Sequence, residues 1–470
     1  MTSSKERRAG FLSSLRFAFS RTEPIETLIA WLFIASLAWT PFWYGSNDLF
    51  AWGVNALLFC GLAVAFELSL LVRSRPHPIG LLQIRYPAAL FLAVLIWTVM
   101  QNTTGLFAHP IWQLAANVLQ RPLPGTISIN GDLTILAIVR LMTSVAVFWL
   151  ALELSESRSR ASLILHGVVA IGVAYCGYGL LVFAESFNRA LWQATPPKYT
   201  FVSSTFVNQN SFATFAGLCL LVACGLAVRG SYASMALPMR RPWRALIDRL
   251  AMPELLLIAA SALMVVSLTL TSSRGGILAA MGGFAVFLGL LVARHAQGRA
   301  VAFLGVLAVV VVCAVLGQAL VLSFVTKGLF DPGRLAVYRL TLQSIADAPW
   351  TGFGLGTFLD VFPMYRDHSL TLNEVWEQAH NTYLEVFQGL GLVFGSLFLA
   401  SIGILGFVCL QAALRRRDSA IFPCIAASVT ALVAIHAMFD FSLQIEAIAL
   451  IFAAVLGTGV AHAQAGRPHA

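Results

Sequence analysis

The chain alternates between long apolar runs and short polar connections, and within the runs the hydrophobic positions are continuous rather than alternating. A helix that crosses a membrane needs about 20 mostly apolar residues, whereas strands of a membrane barrel show weak alternation over about ten. The continuous runs therefore predict helices. By this rule about twelve spans are expected. They are 25–43, 49–72, 86–100, 133–152, 163–184, 211–228, 255–272, 275–293, 301–325, 384–411, 421–439 and 445–460. Residues 326–383 break the rhythm, being too polar to cross a membrane yet flanked by apolar runs on both sides.

That polar stretch has its own pattern. Asp331-Pro332-Gly333 reads as a turn, and 334–347 as an amphipathic helix with Leu335, Tyr338, Leu342 and Ile345 at helical spacing. Asp347-Ala348-Pro349 ends it. The helix is expected to lie on the membrane surface, with Arg334 and Arg339 near headgroup phosphates. Gly352, Gly354 and Gly356 follow a helix and a proline turn, not a strand. They read as a tight re-entrant turn rather than a nucleotide-binding loop. His380-Asn381-Thr382-Tyr383-Leu384-Glu385 closes the stretch where the next apolar run begins.

Composition agrees with a membrane solvent. Of 470 residues, 59% are hydrophobic and 11% charged, against about 25% charged in soluble domains. Mean hydropathy is +0.81. The net charge of +9 does not point to nucleic acid, because the cations cluster in short loops that orient helices. With the N-terminus inside (Lys5, Arg7, Arg8, Arg16, Arg21), every second loop is cation-rich and the loops between are sparse. This places both termini in the cytoplasm and 326–380 on the outside. The seven cysteines fall inside apolar runs and form no CxxC pair, so they read as packing residues.

The unusual polar residues gather on the outer face. Asn208 and Asn210 precede the sixth span and read either as a helix cap or as part of an irregular outer segment. Arg274 begins the eighth span before Gly275-Gly276, where a helix N-terminus and a guanidinium suit an anion; anchoring at the interface is the other reading. Asp440 is placed to orient His380 or to pair with an arginine. Arg140, two turns inside the fourth span, pairs structurally with Glu67 or Glu153 or serves the site. No cluster has the spacing of a metal site, and no cofactor is expected. Arginines, a histidine, amides and a carboxylate suit displacement of a diphosphate. Fixed cations stabilise the leaving group, and a histidine deprotonates the attacking hydroxyl. A single base acting in line implies inversion.

Four pieces in this order resemble the O-antigen ligase and O-antigen polymerase superfamily. They are Phe206-Val207-Asn208-Gln209-Asn210, then Ser273-Arg274-Gly275-Gly276, then Gly333-Arg334 through Gly352-Phe353-Gly354-Leu355-Gly356, and His380-Asn381 with Gly391 further on. The likeness covers 201–441. It implies an all-α polytopic membrane protein with a GT-C-like bundle and a large periplasmic loop. It also implies a metal-independent glycosyltransferase of the bacterial inner membrane. The donor would be an undecaprenyl pyrophosphate-linked glycan and the acceptor a glycan or lipid A core. By motif, Arg274 and Arg334 would contact the diphosphate, with Arg339 beside them, and His380 would act at the acceptor. Asn381, Tyr383, Glu385 and Asp440 would support it. Phe394 stands where ligases favour Gly, Thr or Tyr, so ligase, polymerase and protein glycosylation all stay open; a transporter or flippase is the rival of another class. The expected organisation is a basic cytoplasmic tail at 1–24, one transmembrane domain at 25–462 with its catalytic loop at 326–383, and a cytoplasmic tail at 463–470.

Overall fold

A computed structural model describes residues 24–184, 201–235, 252–294, 314–322, 325, 331–371, 375–415 and 420–464. Among these residues the chain is helical and contains no strand. The helices are α1 (Pro24–Trp39), α2 (Leu49–Val72), α3 (Arg85–Gln101), α4 (Ile111–Leu119), α5 (Gly131–Leu154), α6 (Arg158–Ala184) and α7 (Gln209–Met235). They continue with α8 (Met252–Leu270), α9 (Arg274–Arg294), α10 (Pro332–Asp347), α11 (Thr382–Arg415), α12 (Ile421–His436) and α13 (Glu446–Gln464). Eight of the described helical segments are long and apolar enough to cross a membrane, and α1, α8 and α12 are apolar but shorter. The chain is thus a polytopic membrane protein. The expected span 301–325 lies mostly outside the described residues, as do the two tails apart from 24, 463 and 464.

Two helices form the centre. Nearly every residue of α13 is buried, and α7 is buried over most of its length. A helix apolar all round belongs inside a bundle. Small residues let neighbours close on it: a Cβ on Gly457 would lie 2.5 Å from the Phe148 carbonyl of α5, and one on Gly459 would lie 2.1 Å from Ala426 of α12. In contrast, α2 and α3 turn large apolar side chains outward, among them Leu57, Leu68, Leu92 and Ile96, as a hydrocarbon solvent permits.

The glycine run forms the expected tight turn, and its role is to fill a break in α11. Gly391 has φ 75° and ψ 171°, a conformation close to glycine-only. The break frees carbonyls of α11, and the turn takes them. The Phe353 and Gly354 N–H groups donate to Gln388 and Gly389 carbonyls at 2.9 and 3.1 Å, and Leu392 N–H donates to the Pro349 carbonyl at 2.7 Å. Gln101 of α3 donates its side-chain amide to the Thr351 and Gly389 carbonyls. Gly352, Gly354 and Gly356 all have positive φ.

Several expectations need correction. Leu335 and Leu342 of α10 are exposed, and the buried face is Val337, Leu340, Thr341, Ser344 and Ile345. Val337 and Leu340 pack against Phe358, Phe362 and Ala379, and Ser344 accepts from Gln388 of α11, so of the expected stripe only Ile345 joins the buried face, with Tyr338 half-buried. The run expected to end at Phe439 stops as α12 at His436, leaving a turn that becomes the centre of the site. A short helix, α4, had no counterpart among the expected spans because nine residues cannot cross a membrane.

Candidate functional site

Four helix N-termini converge on the turn between α12 and α13. The cap of each is written in its sequence. Asn208 Oδ1 accepts the Ser211 N–H at 2.8 Å and starts α7. Ser273 Oγ accepts the Gly276 N–H at 3.2 Å and starts α9. Asp331 accepts from Gly333 and Arg334, with Pro332 in the first turn, and starts α10. Asn381 Oδ1 accepts the Leu384 N–H at 3.1 Å and starts α11. Each N-terminus carries partial positive charge, so their meeting makes this end of the bundle suited to an anion.

Each N-terminus is also tied to that turn or to its neighbour. Ser273 donates to Asn210 Oδ1 at 2.8 Å, joining α9 to α7. A Cβ on Gly275 would lie 3.4 Å from both His436 Nε2 and Phe439 Cβ, which places the start of α9, with Arg274, against the turn. Arg334 donates from Nη1 to the Phe439 carbonyl at 2.6 Å and from Nη2 to Asp440 Oδ2 at 3.4 Å. Thr382 N–H donates to the Ala437 carbonyl at 2.9 Å, Asn381 Nδ2 to the Met438 carbonyl at 3.1 Å, and the Tyr383 hydroxyl to the Ala434 carbonyl at 2.8 Å.

His380 sits within this frame in a left-handed conformation, φ 53°, which is uncommon outside glycine. Three contacts hold it. The Glu385 carboxylate accepts the Ala379 N–H at 2.6 Å, just before the histidine. The Tyr338 hydroxyl of α10 donates to the His380 carbonyl at 2.7 Å. The rings of Trp376 and Phe441 meet the imidazole edge-on at 5.4 and 4.8 Å. The Tyr338 hydroxyl is pushed up to about 12, chiefly by burial, so it stays protonated as a donor.

Asp440 is the buried hub. His380 Nδ1 lies 3.4 Å from its Oδ1, an ion-pair distance without hydrogen-bond alignment. Arg334 holds its other oxygen, and the Phe441 N–H donates to Oδ1 at 2.7 Å. Burial alone would raise its carboxyl. The His380 ring, helped by His436 and Arg334, outweighs burial and holds it well below the usual carboxylate range. Asp440 thus serves both expected alternatives, facing the histidine and the arginine together.

The remaining predicted residues lie further out or deeper. Arg339 pairs with Asp367 at 2.6 Å and Ser369 at 3.1 Å on the exposed surface. The Asp367 carboxyl is held below its usual range by Ser369 and by Arg339. Arg140 reaches neither Glu67 nor Glu153 in any ion pair among the described residues. It donates to the Gln444 carbonyl and lies over the Trp52 ring at 4.3 Å. Glu67 instead accepts from Trp149 at 2.7 Å, and His77 lies 3.4 and 3.6 Å from Glu67 and Glu153. Gln444 links Arg140 to the site: its side chain donates to Glu385 at 2.9 Å and accepts from Thr382 at 3.0 Å.

Four residues not singled out from the sequence complete the site: Tyr338, Gln444, Ser442 and His436. The signal for His436 was its spacing, four residues before Asp440 at the end of an apolar run. The hydroxyl and amide groups carried no signal, because only the folded turn brings them to the histidine. Among the described residues no group of three or more His, Cys, Asp or Glu could hold a metal ion.

No curated protein matches the chain. A family model described as O-antigen ligase matches residues 259–399, a segment that contains Arg274, Arg334 and His380, while Asp440 falls beyond it. Residues 259–399 are thus similar to the O-antigen ligase family, and three of the residues drawn around the turn lie within that segment.

Proposed function

We propose that the protein is an inverting glycosyltransferase that moves a glycan from undecaprenyl pyrophosphate to an acceptor hydroxyl at the periplasmic face of a bacterial inner membrane. The observation that carries this reading is the Arg334–Asp440–His380 arrangement beside the N-terminus of α9. His380 and Arg334 are held by one buried carboxylate, so a hydroxyl and a diphosphate bound there meet in a defined geometry.

In this reading His380 takes the proton from the acceptor hydroxyl. The freed oxygen attacks the anomeric carbon, the bond from that carbon to the diphosphate oxygen breaks, and the electron pair leaves with the diphosphate. Arg274 and Arg334 stabilise the charge that develops there. Each Nη of Arg334 carries a second N–H beyond the one used on the turn. Asp440 keeps the imidazole oriented and steadies it when it becomes positive. Arg339 is an outer cation that first meets the headgroup end of the donor. The termini are cytoplasmic, in keeping with the loop charges.

The acceptor proposed is lipid A core, which makes the protein a ligase. Joining repeat units to one another is the second reading, and Phe394 favours it. It stacks on Trp97 at 4.4 Å, so the departure from the ligase pattern is packed into the fold. Purified protein supplied with lipid-linked donor and each acceptor class tests the two. Product on core and none on free repeat units supports ligation, and the reverse supports polymerisation. His380→Ala should abolish transfer in either case. Undiminished transfer by that variant would remove His380 as the base, and no transfer by the wild-type protein onto either acceptor would leave the transporter class.

A further inference from the structure

The strongest unassigned feature is the imidazole of His436, in the last turn of α12. It is 1% exposed. Its Nδ1 faces two hydroxyls, Thr214 Oγ1 at 2.8 Å and Ser442 Oγ at 2.9 Å, which lie 3.0 Å from each other. Its Nε2 is buried and has no hydrogen-bond partner among the described residues. A buried polar atom left unpaired is unfavourable and asks for a reason.

The direction of Nε2 supplies one. It faces the first turn of α9, where Gly275 stands in place of a larger residue, and a Cβ there would come within 3.4 Å of it. The hydrogen-bond chain at Nδ1 is compatible with a proton on Nε2. Thr214 has acceptors in the Asn210 carbonyl at 3.2 Å and in Ser442, so Ser442 is free to donate to Nδ1, and in that tautomer the proton of the neutral ring lies on Nε2. A donor aimed at the positive end of a helix, with Arg334 close by, lacks only an anion.

We infer that His436 Nε2 is a further donor to an anionic phosphate oxygen seated at the first turn of α9, beside Gly275 and shared with Arg334. This rests on the diphosphate reading above and adds a residue to it. The ring contributes a neutral donor, so it recognises the oxygen without adding a third cation beside Asp440. Because it lies on α12 while Arg274 lies on α9 and Arg334 on α10, the oxygen would bridge three helices.

The test uses full-length protein in nanodiscs of zwitterionic lipid, titrated with inorganic pyrophosphate and, separately, with farnesyl pyrophosphate. His436→Asn keeps a polar group near Nδ1 and removes the one at Nε2, whereas His436→Gln does the opposite. We expect the Asn variant to lose about tenfold or more in affinity for both ligands and the Gln variant to lose much less. Gly275→Ala should also weaken binding, because its methyl would stand 3.4 Å from Nε2 in the place of the oxygen, while thermal stability is unchanged or raised. Wild-type affinity in both His436→Asn and Gly275→Ala would overturn the inference. So would greater loss in His436→Gln than in His436→Asn, since that marks a purely internal hydrogen bond. Arg334→Gln separates the two levels. If it leaves pyrophosphate binding intact, the diphosphate reading fails along with the inference. If it weakens binding and His436→Asn does not, only the inference fails. A parallel titration with phosphatidylglycerol in the nanodiscs covers the other source of phosphate oxygens. Competition abolished by His436→Asn, with pyrophosphate binding unchanged, would assign the contact to a lipid headgroup and overturn the diphosphate form.

Discussion

Arg334 and Asp440 meet at 3.4 Å across 106 positions of the chain. The carboxylate is 1% exposed and the guanidinium partly open, so the pair joins a buried anion to a cation at the mouth of the bundle. Leaving either group alone strands a charge that the other had compensated. The Arg334→Gln and Asp440→Asn single variants should each lower stability, and the double variant should fall short of their sum by about 1–3 kcal/mol. Unfolding of the three variants in detergent measures this, and additivity would mean the pair does not couple.

Glu385 acts on His380 through the backbone. Its two oxygens take the Ala379 N–H and the Gln444 amide, at 2.6 and 2.9 Å. Glu385→Gln keeps an acceptor for Ala379, and a flip of the Gln444 amide restores the second contact. Glu385→Ala leaves both donors unpaired. The Ala variant should lose about 1–3 kcal/mol of stability and most of kcat. The Gln variant should stay close to wild type, and KM for the lipid-linked donor should change little in either. Equal damage from both substitutions would show that the charge, not the clamp, is needed.

The break in α11 depends on glycine. A Cβ on Gly391 would lie 2.4 Å from the Trp350 carbonyl, and one on Gly352 would lie 2.4 Å from the Gly389 carbonyl, both at positive φ. Gly391→Ala and Gly352→Ala should each lose more than about 2 kcal/mol, from backbone strain and overpacking together. Gly53 and Gly61 in α2 have nothing within 4 Å of a built Cβ. There alanine should stabilise by about 0.5–1 kcal/mol. Thermal unfolding of the four variants decides it, and a mild effect at Gly391 would contradict the packed turn.

Asp440 also predicts the acid limb of stability. Its carboxyl lies below the usual range in the folded protein. The stability it contributes is therefore fully present above the unfolded value of about 3.9, and is lost as pH falls through the lower folded value. Wild-type protein should lose stability progressively below about pH 4, and Asp440→Asn should lack that component. Melting curves from pH 6 to pH 3 compare the two. Parallel curves would mean that burial, not the cations, governs this carboxyl.

The helices and their caps were legible because each depends on nearby residues. Apolar runs marked α2, α5, α9 and α13 to within a few positions. Asn208 announces a helix start by its type and place, and the Asp331-Pro332-Gly333 turn marks where α10 begins. The triad of Arg274, Arg334 and His380 was readable as residue types that suit a diphosphate and a base. The inner face of α10 was not, because Val337, Leu340, Thr341, Ser344 and Ile345 turn inward while Leu335 and Leu342 turn outward, and spacing alone does not say which stripe meets protein.

Membrane insertion, the helical class and the chemistry on offer follow from local sequence, since hydrophobic length and capping act over a few residues. Tertiary structure alone decided which carboxylate serves His380, that Arg140 answers Gln444 rather than Glu67 or Glu153, and that His436 faces Gly275. Those pairings join positions tens to hundreds of residues apart. They are selected by how small residues let helices close on one another and by the need to satisfy buried polar groups, neither of which a linear pattern records.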